Sequence, residues 1–333
     1  GANAAITCTN KAAAELRARL EQRLGKRRCK GLTVGTFHAI CLSLLDKKPL
    51  ISRETALKTA LQILQQAGSK EKPGDLLQEV SDWKNRGCRE ENSLYEAYCQ
   101  SLKEHGLRDL DDLLLDALEL TPHSCRKFTH LLVDEFQDMN PLQHRLVRHW
   151  SQYSKSLFVI GDADQSIYGF RGADAGCFAA LTQAFPQAKI LHLSQNYRSA
   201  PEILEAAVHV ISHNPGETRV LSPHAAGKVP VRAVCLSSPL EEGIWISREI
   251  RRLTGGLDML EAQSMGGARE PALPFSDIAV LCRTRHQLDS LEKILNREDI
   301  PCIVYGRGQL LEKDEVQGAL AFYRFLLSPR DTA

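Results

Sequence analysis

Two adjacent carboxylates follow an apolar run near the middle of the sequence. Residues 128–133 are mostly apolar, and Asp134 and Glu135 come directly after them. Buried strands of parallel sheets are near-continuous apolar runs, and ligands bind beyond the carboxyl ends of such strands. One carboxylate there could hold a magnesium ion, and the other could orient or deprotonate a water that attacks a phosphorus atom. A strand that ends in two solvated acids would give the same pair, so the pair alone leaves both interpretations open.

Three strings of residues extend this pattern, and each one follows a predicted strand. The first reads Asp-Glu-Phe-Gln-Asp, the second Gly-Asp-Ala-Asp-Gln-Ser-Ile-Tyr-Gly-Phe-Arg-Gly-Ala-Asp and the third Gln-Asn-Tyr-Arg-Ser; they occupy residues 134–138, 161–174 and 195–199. The strands before them are predicted at residues 128–133, 156–160 and 189–193.

Strand and helix signals alternate along most of the chain, which indicates a mostly parallel sheet. Further strands are predicted at residues 4–9, 32–37, 229–235, 277–282 and 301–305. Helices are predicted at residues 11–24, 38–45, 141–153, 178–184, 199–210, 240–253 and 286–297. Asn10 can cap the first helix and Gly25 can end it.

Residues 49–120 have a different character. Leu, Ala, Gln, Glu and Lys dominate, and apolar residues recur at helical spacing, for example Leu57, Leu61 and Leu64. This segment predicts a helical subdomain inserted into the α/β domain, with a last helix at residues 110–118. Residues 255–274 hold Gly and Pro without a clear period and predict an exposed loop.

Composition limits the function only in part. The 333 residues carry 42 basic and 41 acidic side chains, a balance that neither supports nor excludes DNA binding. The basic run Lys26, Arg27, Arg28 and Lys30 is best interpreted as a solvated loop. Ten cysteines without a CxxC pair argue against zinc and favour reduced thiols in a cytoplasm. No apolar run approaches the roughly 18–20 residues that span a bilayer.

The three strings strongly resemble motifs II, III and IV of the UvrD/Rep/PcrA-type superfamily 1 DNA helicases. Residues 7–16 resemble motif Ia and residues 36–38 resemble motif Ib. Leu110-Asp111-Asp112-Leu113 is similar to the acidic segment that ends the family's inserted subdomain, and residues 278–284 to an element of its second motor domain. The resemblance covers essentially the whole chain in the family's order.

The resemblance implies an α/β fold, with a RecA-like P-loop NTPase parallel sheet, an inserted helical subdomain and the start of a second RecA-like domain. The first motor domain would occupy residues 1–48 and 123–198, interrupted by the helical subdomain at 49–122. The second motor domain, incomplete here, would occupy residues 199–333.

The resemblance also implies roles in ATP hydrolysis with Mg²⁺. Asp134 would hold the metal and Glu135 would act as the catalytic base. Gln137 and Gln165 would sense the γ-phosphate and link it to the DNA track.

Two further residues would complete the nucleotide site. Arg198 would stabilise the charge that builds on the transferring phosphoryl group. Tyr197 would stack near the adenine, as a planar side chain can at modest entropic cost.

Contacts to single-stranded DNA need stacking platforms and phosphate ligands that tolerate any sequence. Phe170 suits stacking, whereas Tyr168 could stack or pack in the core, and Arg171 could contact DNA or brace its loop. Motif Ia commonly has an aromatic where Cys8 stands, so one stacking platform of the family has no counterpart here.

Short polar side chains near the N-terminus are suited to phosphate contacts. These are Thr9, Asn10, Thr36 and His38. For His38, a buried histidine with satisfied hydrogen bonds is an equal alternative.

The phosphate-binding signature G-x-x-x-x-G-K-[ST] does not occur in the sequence. In the family it lies shortly before motif Ia, and motifs V and VI would lie beyond Ala333. We therefore expect an internal piece of a longer protein, and the isolated 333 residues should hydrolyse ATP barely or not at all.

The function predicted for the full-length parent is an ATP-dependent DNA helicase or translocase, of 3′-to-5′ polarity by resemblance. Its partners would be single-stranded DNA and single/double-strand junctions, with no membrane, in a bacterial-type cytoplasm. One alternative is the motor part of an AddA/RecB-type helicase–nuclease. Another is a non-catalytic nucleic-acid-binding remnant.

Overall fold

A computed structural model describes residues 2–45, 48–87, 93–120, 128–169, 172–173, 176–214, 220–224, 227, 230–256, 272–305 and 314–327. The chain divides into two compact units, Gly1–Leu193 and Ser194–Ala333.

The first unit is built on a four-stranded parallel sheet in the order β2-β1-β3-β4. The strands are β1 (Ala2–Ile6), β2 (Leu32–Gly35), β3 (Phe128–Val133) and β4 (Ser156–Val159). Ile6 lies opposite Gly35 and Val133, and Val133 lies opposite Val159. All four strands therefore end at one edge, which confirms the parallel α/β prediction for this unit.

Eight helices of the first unit lie in the described residues. They are α1 (Asn10–Leu24), α2 (Phe37–Leu44), α3 (Arg53–Gln66), α4 (Pro73–Arg86), α5 (Ser93–Glu104), α6 (Leu110–Leu118), α7 (Pro141–Ser151) and α8 (Cys177–Ala184). The prediction of Asn10 as the cap of α1 is wrong by one residue. Thr9 is extended, and its hydroxyl accepts from the Ala12 amide, so Asn10 begins the helix. Gly25 ends α1 with φ of 81°, as predicted.

Two hydrophobic cores hold this unit together. The first joins the sheet to α2, α6, α7 and the start of α8, and its largest buried side chain is Trp150, which packs on Phe37 and Phe128. The second lies among α3, α4 and α5, around Leu64, Leu76 and Tyr98. The last of the four helices in the inserted segment therefore packs with the sheet, whereas the other three have a core of their own.

The acidic segment at the start of α6 connects these two cores. Lys84 of α4 is buried, and its Nζ donates to Asp109 Oδ2 at 2.7 Å and Asp112 Oδ1 at 2.6 Å. Asn85 donates to Asp111 at 3.1 Å. In this chain the acidic segment has a structural use, because it holds α4 against α6.

The second unit is mainly helical in its described part. It contains α9 (Pro201–Ile211), α10 (Pro239–Leu253), α11 (Arg285–Arg297) and α12 (Asp314–Leu327). Among the described residues of this unit, strand pairing is limited to β5 (Gln195–Asn196) with β6 (Ser222–Pro223), in parallel. A small core around Ile250, Leu291 and Leu295 packs α10 on α11.

Four predicted strands are wrong for the residues that can be described. Residues 189–193, 230–235, 277–282 and 301–305 form no ladder, and 275–277 is a short 3₁₀ turn. Leu193, Leu281 and Ile303 are 89%, 94% and 80% exposed. An apolar run indicates strand propensity, but a strand also needs a neighbouring strand to accept its hydrogen bonds. The part of the chain that the structure describes offers these segments no such neighbour.

Two composition-based observations can be set beside the structure. The eight cysteines that lie in the described residues are all free thiols. Across the same residues, no helix has both the length and the apolar character that crossing a membrane requires.

Candidate nucleotide and DNA site

The chain turns sharply where β3 ends. The Asp134 amide still donates to Ile6 O at 2.9 Å, as a strand residue would. Glu135 then adopts φ of 52° and ψ of 47°, and the Phe136 amide donates to Ile160 O at 3.0 Å. These angles lie in the left-handed region, which is unfavourable by roughly 1–2 kcal/mol for a residue with a side chain. Residues that keep such a conformation cluster at functional sites. This turn places the exposed Glu135 carboxylate beyond the edge of the sheet.

Gln137 is a buried bridge beneath that carboxylate. Only 2% of the residue is exposed. Its Nε2 donates to Glu135 Oε2 at 2.7 Å, and its Oε1 accepts from the Asp162 amide at 3.0 Å. The amide orientation follows from chemistry, because an ionised carboxylate only accepts and a backbone N–H only donates. Gln137 therefore connects the end of β3 with the loop after β4.

The loop after β4 carries the second glutamine of the site. Gln165 is exposed, and its Nε2 donates to Asp162 Oδ2 at 2.9 Å. Asp162 Oδ1 accepts from the Asp164 amide at 3.1 Å, and the Ser166 hydroxyl donates to Gln137 O at 3.3 Å. A continuous chain of hydrogen bonds thus runs from Glu135 through Gln137 and Asp162 to Gln165.

Tight packing supports this network from below. Phe136 is buried and its ring contacts His144 at 4.6 Å and Phe178 at 5.4 Å between centroids. Gly161 lies in the remaining gap, where an added Cβ would lie 2.5 Å from Gln137 Oε1 and 2.9 Å from Phe178 Cζ. A glycine is required here because the backbone approaches Gln137 closely.

Negative charge is concentrated at this edge. Partial burial and the neighbouring Glu135 raise the pKa of both Asp134 and Asp138. Desolvation of the thiol, together with Asp138, Glu135 and Asp134, raises the pKa of Cys8 to about 12, so this thiol stays protonated. Its Sγ lies 3.5 Å from Glu135 O.

Such an edge fits a hard divalent cation. Carboxylate oxygens are the ligands that Mg²⁺ prefers, and a bound cation would favour the ionised form that burial and the neighbouring Glu135 disfavour. Asp134 Oδ1 accepts from the Glu135 amide at 3.1 Å, which orients the carboxylate. Across the described residues, no group of three or more His, Cys, Asp or Glu side chains could hold a metal by itself. Mg²⁺ is commonly bound by one or two carboxylates plus waters and substrate phosphates, so this sparse donor set suits it.

The predicted DNA residues near the N-terminus gather at the same edge of the sheet. Thr9 and Thr36 cap α1 and α2, accepting from Ala12 N at 3.1 Å and Ala39 N at 3.3 Å. The Thr36 hydroxyl lies 3.5 Å from Asn10 Oδ1. Two helix N-termini therefore lie side by side, and helix N-termini attract phosphate groups.

His38 lies in the first turn of α2 and is half-buried. Burial lowers its pKa, and the nearby Asp111 only partly opposes this. The ring is therefore neutral near pH 7, so any contact with a phosphate would be a hydrogen bond and not an ion pair.

The loop predicted to stack on DNA is described in part. Tyr168 is half-buried, and its carbonyl accepts from the Ala173 amide at 3.3 Å. Its neighbour Ile167 is 71% exposed. Phe170 and Arg171 lie outside the described residues.

Tyr197 and Arg198 belong to the second unit, beside β5. The Asn196 side chain accepts from the amides of Arg198 at 2.9 Å and Ser199 at 2.8 Å, which fixes this turn. Tyr197 is 73% exposed and its ring lies 4.8 Å from that of His224. Both predicted residues are thus presented on the surface of their unit.

Sequence reasoning missed one residue of the network. Asp162 lies inside the quoted string, but three aspartates occur there and nothing in their spacing separates one from another. Only the fold shows that Asp162 bonds to both glutamines.

Comparison with known proteins identifies the family. The model of the UvrD/REP helicase N-terminal domain matches residues 4–91 and 51–186, and that of the UvrD-like helicase C-terminal domain matches residues 191–333. The chain belongs to the UvrD/REP helicase family. Its two matched regions confirm the predicted family and the RecA-like fold class.

Individual relatives agree with this placement. DNA helicase II of Escherichia coli is 30% identical over 363 residues, covering 99% of this chain and 48% of that protein. ATP-dependent DNA helicase Rep of E. coli is 32% identical over 365 residues, covering 98% and 52%. ATP-dependent DNA helicase srs2 of Schizosaccharomyces pombe is 29% identical, covering 98% and 41%. This UvrD/REP chain spans about half the length of the curated relatives it matches.

Proposed function

We propose that this chain is part of an ATP-dependent DNA helicase or translocase that moves along single-stranded DNA, with 3′-to-5′ polarity. The observation that carries the proposal is the hydrogen-bond chain from Glu135 through Gln137 and Asp162 to Gln165. It links a carboxylate suited to hydrolysis with the loop that leads to the aromatic residues of motif III. A motor needs such a link, because hydrolysis must be coupled to the position of DNA.

The residues at the sheet edge have different proposed roles in ATP hydrolysis. Bound ATP and Mg²⁺ supply the phosphoryl group and most of its charge neutralisation. Asp134 holds the cation, and Glu135 orients and deprotonates the attacking water. Gln137 keeps the Glu135 carboxylate in place, and its burial favours action through Glu135 over direct contact with phosphate.

Tyr197 and Arg198 are two further residues that we propose for nucleotide binding. Arg198 stabilises charge on the transferring group and Tyr197 stacks on the adenine base. Support comes from their exposure and from the Asn196 turn that orders them.

The proposed DNA-binding residues include those at the neighbouring N-termini of α1 and α2. Thr9, Asn10 and Thr36 offer hydroxyl and amide groups to phosphates without reading bases, as a sequence-independent motor requires. His38 adds a neutral hydrogen-bonding group. Tyr168, Phe170 and Arg171 supply the stacking loop.

We propose the domain plan expected from the sequence: residues 1–48 and 123–198 for the first motor domain, 49–122 for the inserted helices and 199–333 for the second motor domain. The compact units divide earlier, between Leu193 and Ser194, so Tyr197 and Arg198 lie in the second unit although this plan counts them in the first motor domain. Junctions of single- and double-stranded DNA as substrates, and a cytoplasmic location, also belong to this proposal.

The test is unwinding of partial duplexes by the complete gene product. Duplexes with a 3′ or a 5′ single-stranded tail are mixed with ATP and Mg²⁺, and strand release is followed by fluorescence. We expect release from the 3′-tailed duplex only. Faster release from the 5′-tailed duplex would contradict the polarity. Absence of DNA-stimulated ATP hydrolysis would contradict the motor, and nuclease products would support the helicase–nuclease alternative.

A further inference from the structure

Asp162 contacts both glutamines of the site. Its backbone amide donates to Gln137 Oε1 at 3.0 Å, and its Oδ2 accepts from Gln165 Nε2 at 2.9 Å. Its Oδ1 accepts from the Asp164 amide at 3.1 Å and thereby caps the short turn Ala163–Gln165. The residue therefore sets the turn that carries Gln165 and also the side chain of Gln165.

The carboxylate of Asp162 decides which end of the Gln165 amide points outward. An ionised carboxylate only accepts hydrogen bonds, so the group against it must be the NH₂ of Gln165. The carbonyl Oε1 is then the acceptor end of an exposed side chain. An acceptor there can receive a hydrogen bond from a water molecule, whereas the NH₂ end could not.

We propose that Asp162 is a positioning residue that fixes Gln165 with its Oε1 presented as an acceptor for the water that attacks the phosphoryl group. This inference rests on the proposed function, because it names how Gln165 serves the same site. Asp162 also connects that acceptor to Glu135, since its amide holds Gln137 and Gln137 holds the Glu135 carboxylate. Through these bonds, Asp162 helps to hold both the Glu135 carboxylate and the Gln165 Oε1 in place.

The first test needs no nucleotide. In nucleotide-free protein labelled with ¹⁵N-glutamine, the side-chain NH₂ signals of Gln137 and Gln165 are assigned by their loss in Gln137→Ala and Gln165→Ala. In Asp162→Asn an NH₂ group replaces Oδ2, so the Gln165 signals should move to the positions of solvent-exposed glutamines. The Gln137 signals should stay, because the amide of residue 162 still donates. Glu119→Gln removes a charge from an exposed residue outside the site and should leave both pairs of signals unchanged.

The second test measures ATP hydrolysis by the complete gene product with single-stranded DNA. Losing a hydrogen bond to a charged group corresponds to roughly a 10- to 100-fold effect. We expect kcat to fall by about that factor in both Asp162→Asn and Asp162→Ala, with KM for ATP changed by less than about threefold. Glu119→Gln should keep the parent kcat.

The outcomes separate this inference from the proposed function. Unchanged Gln165 signals in Asp162→Asn, or an unchanged kcat in both variants, would overturn the role of Asp162. A parent protein without DNA-stimulated hydrolysis would overturn the proposed function, while the nucleotide-free signals would still report whether Asp162 orients Gln165. Circular dichroism shows whether each variant is folded. If Asp162→Ala does not fold, the comparison uses Asp162→Asn alone.

Discussion

Gln137 Oε1 occupies the space that any side chain on residue 161 would need. An ideal Cβ on Gly161 would lie 2.5 Å from that oxygen and 3.1 Å from Phe136 N. Gln137 cannot move away freely, because its amide is bonded to Glu135 and to the Asp162 amide. The glycine at this position is therefore a condition for the hydrogen-bond chain to Gln165.

Gly161→Ala should destabilise the first unit and break the bridge. Overpacking of this kind costs about 1–3 kcal/mol. Urea denaturation followed by the fluorescence of Trp83 and Trp150 measures the loss. Gly169→Ala is the matched control, because it lies in the same loop and a Cβ there meets no atom of the described residues within 4 Å. Equal stability of the two variants would contradict the close approach at Gly161.

Lys84→Met should destabilise the protein more strongly than a loss of surface charge. The substitution leaves Asp109 and Asp112 without the buried ammonium that both accept from. Burial, only partly opposed by Lys84, raises the pKa of Asp109, which shows that the site is poorly solvated. Removing one partner of a buried ion pair costs about 3–5 kcal/mol. The free energy of unfolding from urea titration is the measurement.

Lys58→Met is the control for that prediction. Lys58 pairs with Glu54 on the surface of α3, where both side chains are about 60% exposed. Exposed pairs of this spacing contribute less than about 0.5 kcal/mol. A comparable loss in both variants would mean that the Lys84 cluster does not connect α4 to α6 as described.

His38 should make the stability of the first unit depend on pH. Burial lowers its folded-state pKa below the ordinary 6.5, so the unfolded chain binds the proton first as pH falls. Stability from this group is present above pH 6.5 and is lost as pH falls below it. His38→Gln should therefore reduce the loss of stability between pH 7 and pH 5.5. An unchanged pH dependence of stability in His38→Gln would contradict the prediction.

Local signals in the sequence were sufficient to predict several elements of the first unit. β3 is an apolar run bounded by charge, α7 begins at Asn140-Pro141, and Gly25 ends α1, so each could be predicted without knowing its neighbours. The second unit shows the limit of such signals. Whether residues 277–282 form a strand depends on a partner distant in the chain, which propensity does not report.

The site was predictable by residue type but not by connection. Asp134, Glu135, Gln137 and Gln165 follow strands whose ends meet at one edge, as the parallel pattern implies. The bond from the Asp162 amide to Gln137 spans 25 residues, so no local pattern encodes it. The prediction of Asn10 instead of Thr9 as the cap of α1 was wrong for a similar reason, since both residue types cap helices well.

The most direct test of the account is Glu135→Gln in the complete gene product, assayed for hydrolysis of ATP with single-stranded DNA. The amide keeps the shape of the carboxylate and can still accept from Gln137, but it cannot take a proton from water. General-base catalysis contributes about 10²- to 10⁴-fold, so hydrolysis should fall by that factor while nucleotide binding stays within about threefold. Glu119→Gln, an exposed glutamate outside the site, should leave hydrolysis unchanged. Hydrolysis by Glu135→Gln at the parent rate would contradict the assignment of this edge as the ATPase site.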